Sequence, residues 1–284
     1  MDCRVFAAQV EPTLGNLSAN LELHLGEIDA AVKAQADLVL FPELSLSGYF
    51  LKDQTAEVAL ELDAPALEKI ANRSRDISIG VGFVEQGRDG RRFNSWAYFE
   101  DGELVHVHRK VHLVTYGMFD EGRDFAAGES IQSFETRHGR FGVLICEDMW
   151  HVGASWIHFL ANVDALIVPS AGPGRGVNED RPELRSHRVW YTLQDAFALL
   201  YQTWIVYVNR VGSEDGVLFA GGSRVVDPNG REVARLEGLE PGRLEARLSG
   251  EALRRARIAT PLRRDEKPWI VARELARLRD GGAA

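Results

Sequence analysis

Two short apolar runs with the same design constrain the fold of this chain more than any other feature. Each begins at an acidic residue, continues through four apolar residues and ends at a proline: Asp37–Pro42 and Asp164–Pro169. An uninterrupted apolar run of this length is typical of a strand buried on both faces, and proline ends such a strand. The recurrence of the design is evidence that the two halves of the chain are related.

Amphipathic helices alternate with strands of this kind. After a predicted cap at Asn16, apolar residues recur at intervals of four, three and four at Leu21, Leu25, Ile28 and Val32, which predicts a helix with one buried face. Similar signals predict further helices at Pro65–Arg75, Ser155–Asn162, Pro182–Tyr201 and Pro268–Arg279. Strand–helix alternation predicts an α/β fold with parallel strands.

Pairs of strands around turn residues predict β-hairpins as well. The pairs are Trp96–Glu100 with Glu103–Arg109, Ile131–Thr136 with Phe141–Ile145, and Gly222–Asp227 with Glu232–Leu236. Hairpins add antiparallel neighbours, so the sequence predicts two mixed sheets, packed face to face with helices outside. No linker rich in proline and serine divides the chain, so residues 1–284 are interpreted as one domain. Residues 258–284 are interpreted as a C-terminal extension whose helix packs on a neighbour or a partner subunit.

Composition narrows the kinds of partner and ligand. A net charge of −9 argues against nucleic acid or an anionic membrane, and no apolar run approaches the ~18 residues of a membrane span. Two cysteines, Cys3 and Cys146, do not make a disulfide framework, which favours a reducing cytoplasm. The histidines lack metal-ligand spacing, so no metal is predicted. His106, His108 and His112 alternate in a strand and are expected to face solvent.

Three apolar segments end in side chains that together suit nucleophilic catalysis: Glu43, Lys110 and Cys146. A carboxylate can take the proton of a thiol, and a cation can stabilise the negative charge that develops when the thiolate attacks an amide or nitrile carbon. A lysine between two acids also stays protonated. Each residue alone has a structural explanation, since a lone cysteine is usually a small core residue. That explanation is retained for Cys3.

Three blocks around these residues resemble the signature blocks of the nitrilase, or carbon–nitrogen hydrolase, superfamily, in the family's order. They are Phe41–Tyr49, His108–Leu113 and Leu144–Trp150, and the resemblance covers about residues 4 to 250. It implies an αββα sandwich without a cofactor, and subunits that pair into a homodimer or larger homo-oligomer.

The resemblance also implies a role for each site residue. Glu43 would be the general base, Cys146 the nucleophile and Lys110 the cation that stabilises the tetrahedral intermediate. The backbone N–H of Glu147 would join Lys110 in the oxyanion hole, and Glu121 would be a second glutamate that orients the lysine or the substrate.

Within the superfamily, Tyr116–Phe125 and Cys146–Trp150 most resemble the glutamine-hydrolysing domain of glutamine-dependent NAD synthetases. In that branch Tyr116 would line the substrate pocket. The pyrophosphatase loop of the synthetase half is absent from the sequence, and Gly172 stands where a serine is expected to hold the amino-acid end of glutamine. Ser170 or Arg175 would then replace that contact.

These observations leave several functions open. The first is a free-standing amidase that releases ammonia from a small linear carboxamide through a cysteine thioester. The second is a glutaminase subunit that supplies ammonia to a separate NAD synthetase. A nitrilase or an N-carbamoyl amidohydrolase would use the same thiol, and a non-catalytic module would retain only the scaffold.

Overall fold

The computed structural model describes residues 1–176 and 184–280, and its strands form two six-stranded sheets and one separate hairpin. The first sheet contains β1 (Asp2–Gln9), β2 (Leu38–Leu40), β3 (Ser78–Gln86), β4 (Arg92–Glu100), β5 (Glu103–Arg109) and β14 (Gly242–Ser249). The second contains β6 (Phe134–Thr136), β7 (Gly139–Val143), β8 (Ala165–Ser170), β9 (Trp204–Asn209), β12 (Arg224–Val226) and β13 (Glu232–Arg235). The separate hairpin consists of β10 (Val211–Glu214) and β11 (Val217–Ala220).

Both sheets are mixed, as the sequence predicts. The first has the order β14-β1-β2-β3-β4-β5, with β1, β2 and β3 parallel and the remaining pairs antiparallel. The second has the order β13-β12-β9-β8-β7-β6, with β7, β8 and β9 parallel. The two apolar runs with the same design supply β2 and β8, and each is the middle strand of its parallel trio. The two sheets therefore have the same sequence of strand directions, although the first sheet takes its edge strand β14 from the C-terminal part of the chain.

The helices are α1 (Leu17–Lys33), α2 (Pro65–Arg73), α3 (Glu121–Asp124), α4 (Val152–Leu160), α5 (Arg185–Tyr201), α6 (Gly250–Ala259), α7 (Leu262–Asp265) and α8 (Pro268–Arg279). The cap at Asn16 is confirmed, because its side chain accepts a hydrogen bond from the Ala19 N–H at 3.1 Å. The predicted start of α5 at Pro182 lies outside the described residues. Helix α4 begins at Val152, earlier than predicted.

Three apolar interfaces hold the layers together. Side chains from both sheets meet in the centre, among them Val5, Leu40, Trp96, Phe141, Ile167 and Val206. Helices α1 and α2 cover the outer face of the first sheet, and α4 and α5 cover that of the second. This arrangement is the predicted αββα sandwich. Cys3 is 1% exposed in the central layer, where burial raises the pKa of its thiol to about 12, in agreement with its structural interpretation.

Two further expectations concern membrane-spanning segments and the C-terminal helix. No helix in the described ranges is long and apolar enough to cross a membrane. Helix α8 has no buried residue and exposes Trp269, Leu275 and Leu278. That this helix packs on a partner subunit, and that residues 1–284 form one domain, stay predictions.

Because two histidines are buried in the fold, we expect acid to lower its free energy of unfolding. Burial lowers the pKa of His24 and of His158 from 6.5 to about 4. Between pH 6.5 and about pH 4 these two histidines bind protons in the unfolded chain but not in the folded chain. Their contribution to the free energy of unfolding is therefore complete above pH 6.5 and is lost as the pH falls toward 4. We expect each histidine to remove on the order of 3 kcal/mol from the free energy of unfolding by pH 4.

Urea unfolding at intervals between pH 7 and pH 4 measures this loss. His24 contacts the Asn20 carbonyl at 2.6 Å and the Ser45 hydroxyl at 2.9 Å, so glutamine is a suitable neutral replacement. The double variant His24→Gln/His158→Gln should show a flatter dependence on pH than the wild type. A wild-type stability that is constant over this range would contradict the prediction.

Candidate active site

Topology brings the three predicted catalytic side chains to one end of the sandwich. Glu43 follows β2, Lys110 follows β5 and Cys146 follows β7. Strands β2 and β5 point in the same direction, because two antiparallel steps separate β5 from β3. Their carboxyl ends therefore lie at the same edge of the first sheet, and the second sheet presents Cys146 from the opposite layer.

A buried ion cluster lies at this edge. The Lys110 Nζ donates to Glu43 Oε1 and to Glu121 Oε1, each at 2.7 Å, and all three side chains are almost completely buried. Asn94 donates to Glu43 Oε1 at 2.7 Å, and the Ala171 N–H donates to Glu43 Oε2 at 2.8 Å. Both oxygens of the Glu43 carboxylate are thus fixed.

The charges of the cluster determine its protonation. Burial alone would lower the pKa of Lys110, but the charges of Glu121 and Glu43 outweigh it and the pKa lies well above the usual value. Burial raises the pKa of Glu43, and Lys110 opposes that rise. The lysine therefore stays protonated between the two acids, as the sequence predicts.

Glu121 is held by a residue that sequence reasoning did not select. The Tyr49 hydroxyl donates to Glu121 Oε1 at 2.6 Å, and the Val114 N–H donates to Glu121 Oε2 at 2.9 Å. The Tyr49 N–H donates to Glu214 in turn, at 2.9 Å. Gly48 permits this approach, because its φ is +84° and a Cβ there would lie 2.8 Å from Glu214 Oε1. The Gly48–Tyr49 pair at the end of the first block was the available signal.

Cys146 begins a 3₁₀ turn in a strained backbone conformation. Its φ is +47°, in the left-handed region that side chains other than glycine rarely adopt. The residue is partly exposed toward a cavity. Its surroundings raise the pKa of the thiol well above the usual value, chiefly by desolvation and then by the charge of Glu43, against the opposing charge of Lys110. The resting thiol is therefore protonated and requires a base.

The cavity beside Cys146 has a volume of about 410 Å³ and several aromatic residues in its wall. Its aromatic lining residues are Tyr49, Tyr116, Phe119, Trp150 and Trp190. Glu147 also lines it, and its carboxylate accepts hydrogen bonds from the Tyr116 hydroxyl at 3.0 and 3.1 Å. The Arg175 guanidinium lies 5.6 Å from the centre of the Phe119 ring. A small, mostly apolar cavity with a few charged groups is typical of a substrate pocket.

The predicted substrate-binding residues divide into two groups. Tyr116, Gly172 and Arg175 line the cavity, whereas Ser170 is fully buried and does not line it. A Cβ at Gly172 would lie 3.1 Å from the Tyr207 hydroxyl and 3.4 Å from Asn209 Nδ2. The Cβ of any side chain at position 172 would therefore lie in tight contact with the buried side chains of Tyr207 and Asn209.

The expectation that His108 faces solvent is wrong. His108 is 2% exposed, and its Nε2 lies 2.9 Å from the Asp148 carboxylate. The alternation does place His108 on one face of β5, but the turn after Cys146 covers that face. His106 is also partly buried and stacks on Phe134 with ring centres 4.3 Å apart.

Comparison with known proteins agrees with this geometry. The family model for carbon–nitrogen hydrolases matches residues 4–258. The glutamine-dependent NAD(+) synthetase of Acinetobacter baylyi is 34% identical over 231 residues, which cover 81% of this chain and 41% of that protein. The chain therefore spans about two fifths of the length of this curated relative.

Two solved structures are similar over most of the chain. The glutamine-dependent NAD+ synthetase of Acinetobacter baumannii has a TM-score of 0.79 at 31% identity, covering 89% of this chain and 47% of that one. An amidase from Nesterenkonia sp. has a TM-score of 0.75 at 26% identity, covering 89% and 92%. The chain thus belongs to the carbon–nitrogen hydrolase family of the nitrilase superfamily, and it is a carbon–nitrogen hydrolase enzyme with close resemblance to the glutaminase domain of NAD synthetases.

Proposed function

We propose that this protein is an amidase that releases ammonia from a small linear carboxamide through a thioester on Cys146. One observation carries the proposal. A protonated lysine lies 2.7 Å from each of two buried carboxylates, and the charges of Lys110 and Glu43 act on the Cys146 thiol, which lines a small cavity. This set supplies a nucleophile, a base and a cation.

The first half of the reaction forms the thioester. Glu43 takes the proton of the Cys146 thiol, and the sulfur attacks the amide carbon. The resulting oxyanion is stabilised by the Lys110 ammonium and by the backbone N–H of Glu147. When the tetrahedral intermediate collapses, the carbon–nitrogen bond breaks and the leaving nitrogen takes the proton from Glu43, so that ammonia departs.

The second half restores the enzyme. A water molecule gives a proton to Glu43 and attacks the thioester carbon, and the same cation and N–H stabilise the second oxyanion. The carbon–sulfur bond then breaks, the thiolate recovers the proton and the carboxylic acid leaves. Glu121 and Tyr49 hold Lys110 in place throughout. Asn94 and the Ala171 N–H hold Glu43 so that it can accept and return one proton in each half.

Ammonia release from a panel of compounds tests this proposal. The panel contains glutamine, ω-amides, N-carbamoyl compounds, aliphatic amides and nitriles, and we expect the fastest release from an amide. Rapid quenching followed by mass spectrometry should find the acyl group on the peptide that contains Cys146. Ammonia release without an acyl adduct would contradict the thioester mechanism. Hydrolysis of nitriles or N-carbamoyl compounds in preference to amides would identify one of those variants instead.

A second candidate function is that of a glutaminase subunit that supplies ammonia to an NAD synthetase. The Glu147 carboxylate and the Arg175 guanidinium both line the cavity, and their opposite charges suit the ammonium and carboxylate of an amino acid. The similarity to glutamine-dependent NAD synthetases supports the same substrate. The chain spans 41% of that curated relative, and this candidate function assigns the synthetase activity to a separate partner.

Coupled assays distinguish this candidate from a free-standing amidase. We would measure ammonia release from glutamine before and after adding an ammonia-dependent NAD synthetase. A glutaminase subunit should release ammonia faster when its partner is present and should associate with it. No change in rate and no association would rule the second candidate out.

A further inference from the structure

Asp148 is a buried carboxylate in the turn that begins at Cys146, and it does not line the cavity. It accepts five hydrogen bonds. Its Oδ1 accepts from Val111 N at 3.1 Å, His112 N at 2.8 Å and His112 Nδ1 at 2.9 Å. Its Oδ2 accepts from His108 Nε2 at 2.9 Å and Ile145 N at 3.2 Å.

The positions of these donors are informative. His108 precedes Lys110 by two residues, and Val111 and His112 follow it directly, so the carboxylate holds the chain on both sides of Lys110. Ile145 directly precedes Cys146. One side chain therefore connects the segment that carries the cation to the turn that carries the thiol. The first segment belongs to one sheet and the second to the other, so packing within either sheet cannot supply this connection.

The charge of Asp148 is stable. Burial alone would raise the pKa of this carboxyl, but hydrogen bonds from His108 and His112 hold it well below its usual range. An ionised carboxylate accepts all five bonds, whereas a protonated or amidated one would turn a donor toward one of the N–H groups.

We propose that Asp148 is a positioning residue that fixes the Lys110 ammonium relative to the Cys146 thiol. The inference rests on the proposed function, because it assumes that these two groups take part in the reaction. Lys110 itself is anchored from the other side, where its N–H donates to the Asn94 carbonyl at 2.8 Å and its carbonyl accepts from the Gly128 N–H at 2.7 Å. Asp148 supplies the contact toward Cys146.

The variant Asp148→Asn tests the proposal, because it keeps the shape and removes part of the acceptor capacity. We expect kcat to fall about 100-fold, the effect of a misplacement of about 1 Å in an active site. KM should change little, since other residues line the cavity. The rate is measured on the amide that the wild type hydrolyses fastest. It is divided by the concentration of reactive Cys146. That concentration is obtained by complete alkylation with iodoacetamide and mass spectrometry of the peptide that contains Cys146.

Glu100→Gln is a matched control. Glu100 is also buried and accepts hydrogen bonds from the Ser78 hydroxyl at 3.0 Å, the Tyr98 hydroxyl at 3.2 Å and the Arg137 N–H at 3.0 Å. It too connects the two sheets, but it ends β4, which runs opposite to β5, and so it lies at the far end of the sandwich from Lys110. We expect this variant to lower Tm and to keep the wild-type kcat.

If Asp148→Asn does not fold, the variant His112→Phe tests the positioning role of Asp148 instead. Phenylalanine keeps the stack of residue 112 on His151, whose ring centres are 3.7 Å apart, and removes only the N–H that bonds Asp148. A lower kcat at unchanged KM supports the proposal. A wild-type kcat in the folded Asp148→Asn variant, or in His112→Phe if that is the only one to fold, overturns it. So does an equal loss of kcat in Glu100→Gln.

The proposed function has a separate point of failure. If Cys146→Ala retains hydrolysis, the thioester mechanism is wrong whatever Asp148→Asn does. If Cys146→Ala is inactive and Asp148→Asn is fully active, only the positioning role is wrong.

Discussion

Cys146→Ala should lower the rate of amide hydrolysis by a factor of roughly 10⁴ to 10⁶ while the protein stays folded. The thiol is the nucleophile that attacks the amide carbon in the proposed mechanism, so without it no acyl-enzyme forms. The backbone at this position has a φ of +47°, and alanine is strained there to the same degree as cysteine, so the replacement does not add a new backbone cost. The measurement is ammonia release at substrate saturation, with circular dichroism to verify the fold.

Cys3→Ala is the control for this prediction. Cys3 lies in the core between the sheets, so its replacement should lower the free energy of unfolding slightly and leave hydrolysis unchanged. Hydrolysis that survives in Cys146→Ala, or that is lost equally in Cys3→Ala, would mean that Cys146 is not the nucleophile.

Lys110→Met should have the largest effect on stability and should also abolish hydrolysis. It leaves the Glu43 and Glu121 carboxylates buried, close together and without a counter-ion. Removing one partner of a buried ion pair costs about 3–5 kcal/mol. Part of that cost is relieved if one carboxylate takes up a proton, which also removes Glu43 as a base. Urea unfolding and ammonia release at pH 7 measure the two losses.

The double variant Lys110→Met/Glu121→Gln separates stability from catalysis. It replaces one of the two uncompensated carboxylates with a neutral amide, so most of the lost stability should return. Hydrolysis should not return, since the ammonium that stabilises the oxyanion in the proposed mechanism is still absent. A double variant that is as unstable as Lys110→Met would show that charge balance is not the cause. A double variant with recovered activity would show that Lys110 is not needed for the chemistry.

The architecture could be predicted because it follows from local patterns. The runs Asp37–Pro42 and Asp164–Pro169 are buried on both faces, and such strands require layers on either side. What the patterns could not supply is the pairing of distant strands. The contact of β1 with β14 and the separate hairpin of β10 and β11 depend on the whole sandwich, and neither was predicted.

For the site, the main residues could be predicted from the sequence, but their geometry could not. Glu43, Lys110 and Cys146 end apolar segments, and similarity to a known family connects them, but their distances follow only from the relative placement of two sheets. Tyr49 stands at the end of the first block, but the block does not reveal that its hydroxyl contacts Glu121. Asn94 contacts Glu43 from β4, and no spacing in the sequence links these two residues. The prediction that His108 faces solvent was wrong for the same reason, because alternation along one strand does not reveal what covers each face of that strand.

The pairing of β1 with β14 has a consequence for the synthesis of the chain. Residues Asp2–Gln9 pair with residues Gly242–Ser249, so β1 keeps one open edge until the second segment has left the ribosome. At ordinary elongation rates that interval is roughly 10 to 50 s. An unpaired apolar strand edge is a site where other chains can add and aggregate. The yield of native protein therefore depends on how well this edge is protected before its last neighbour arrives.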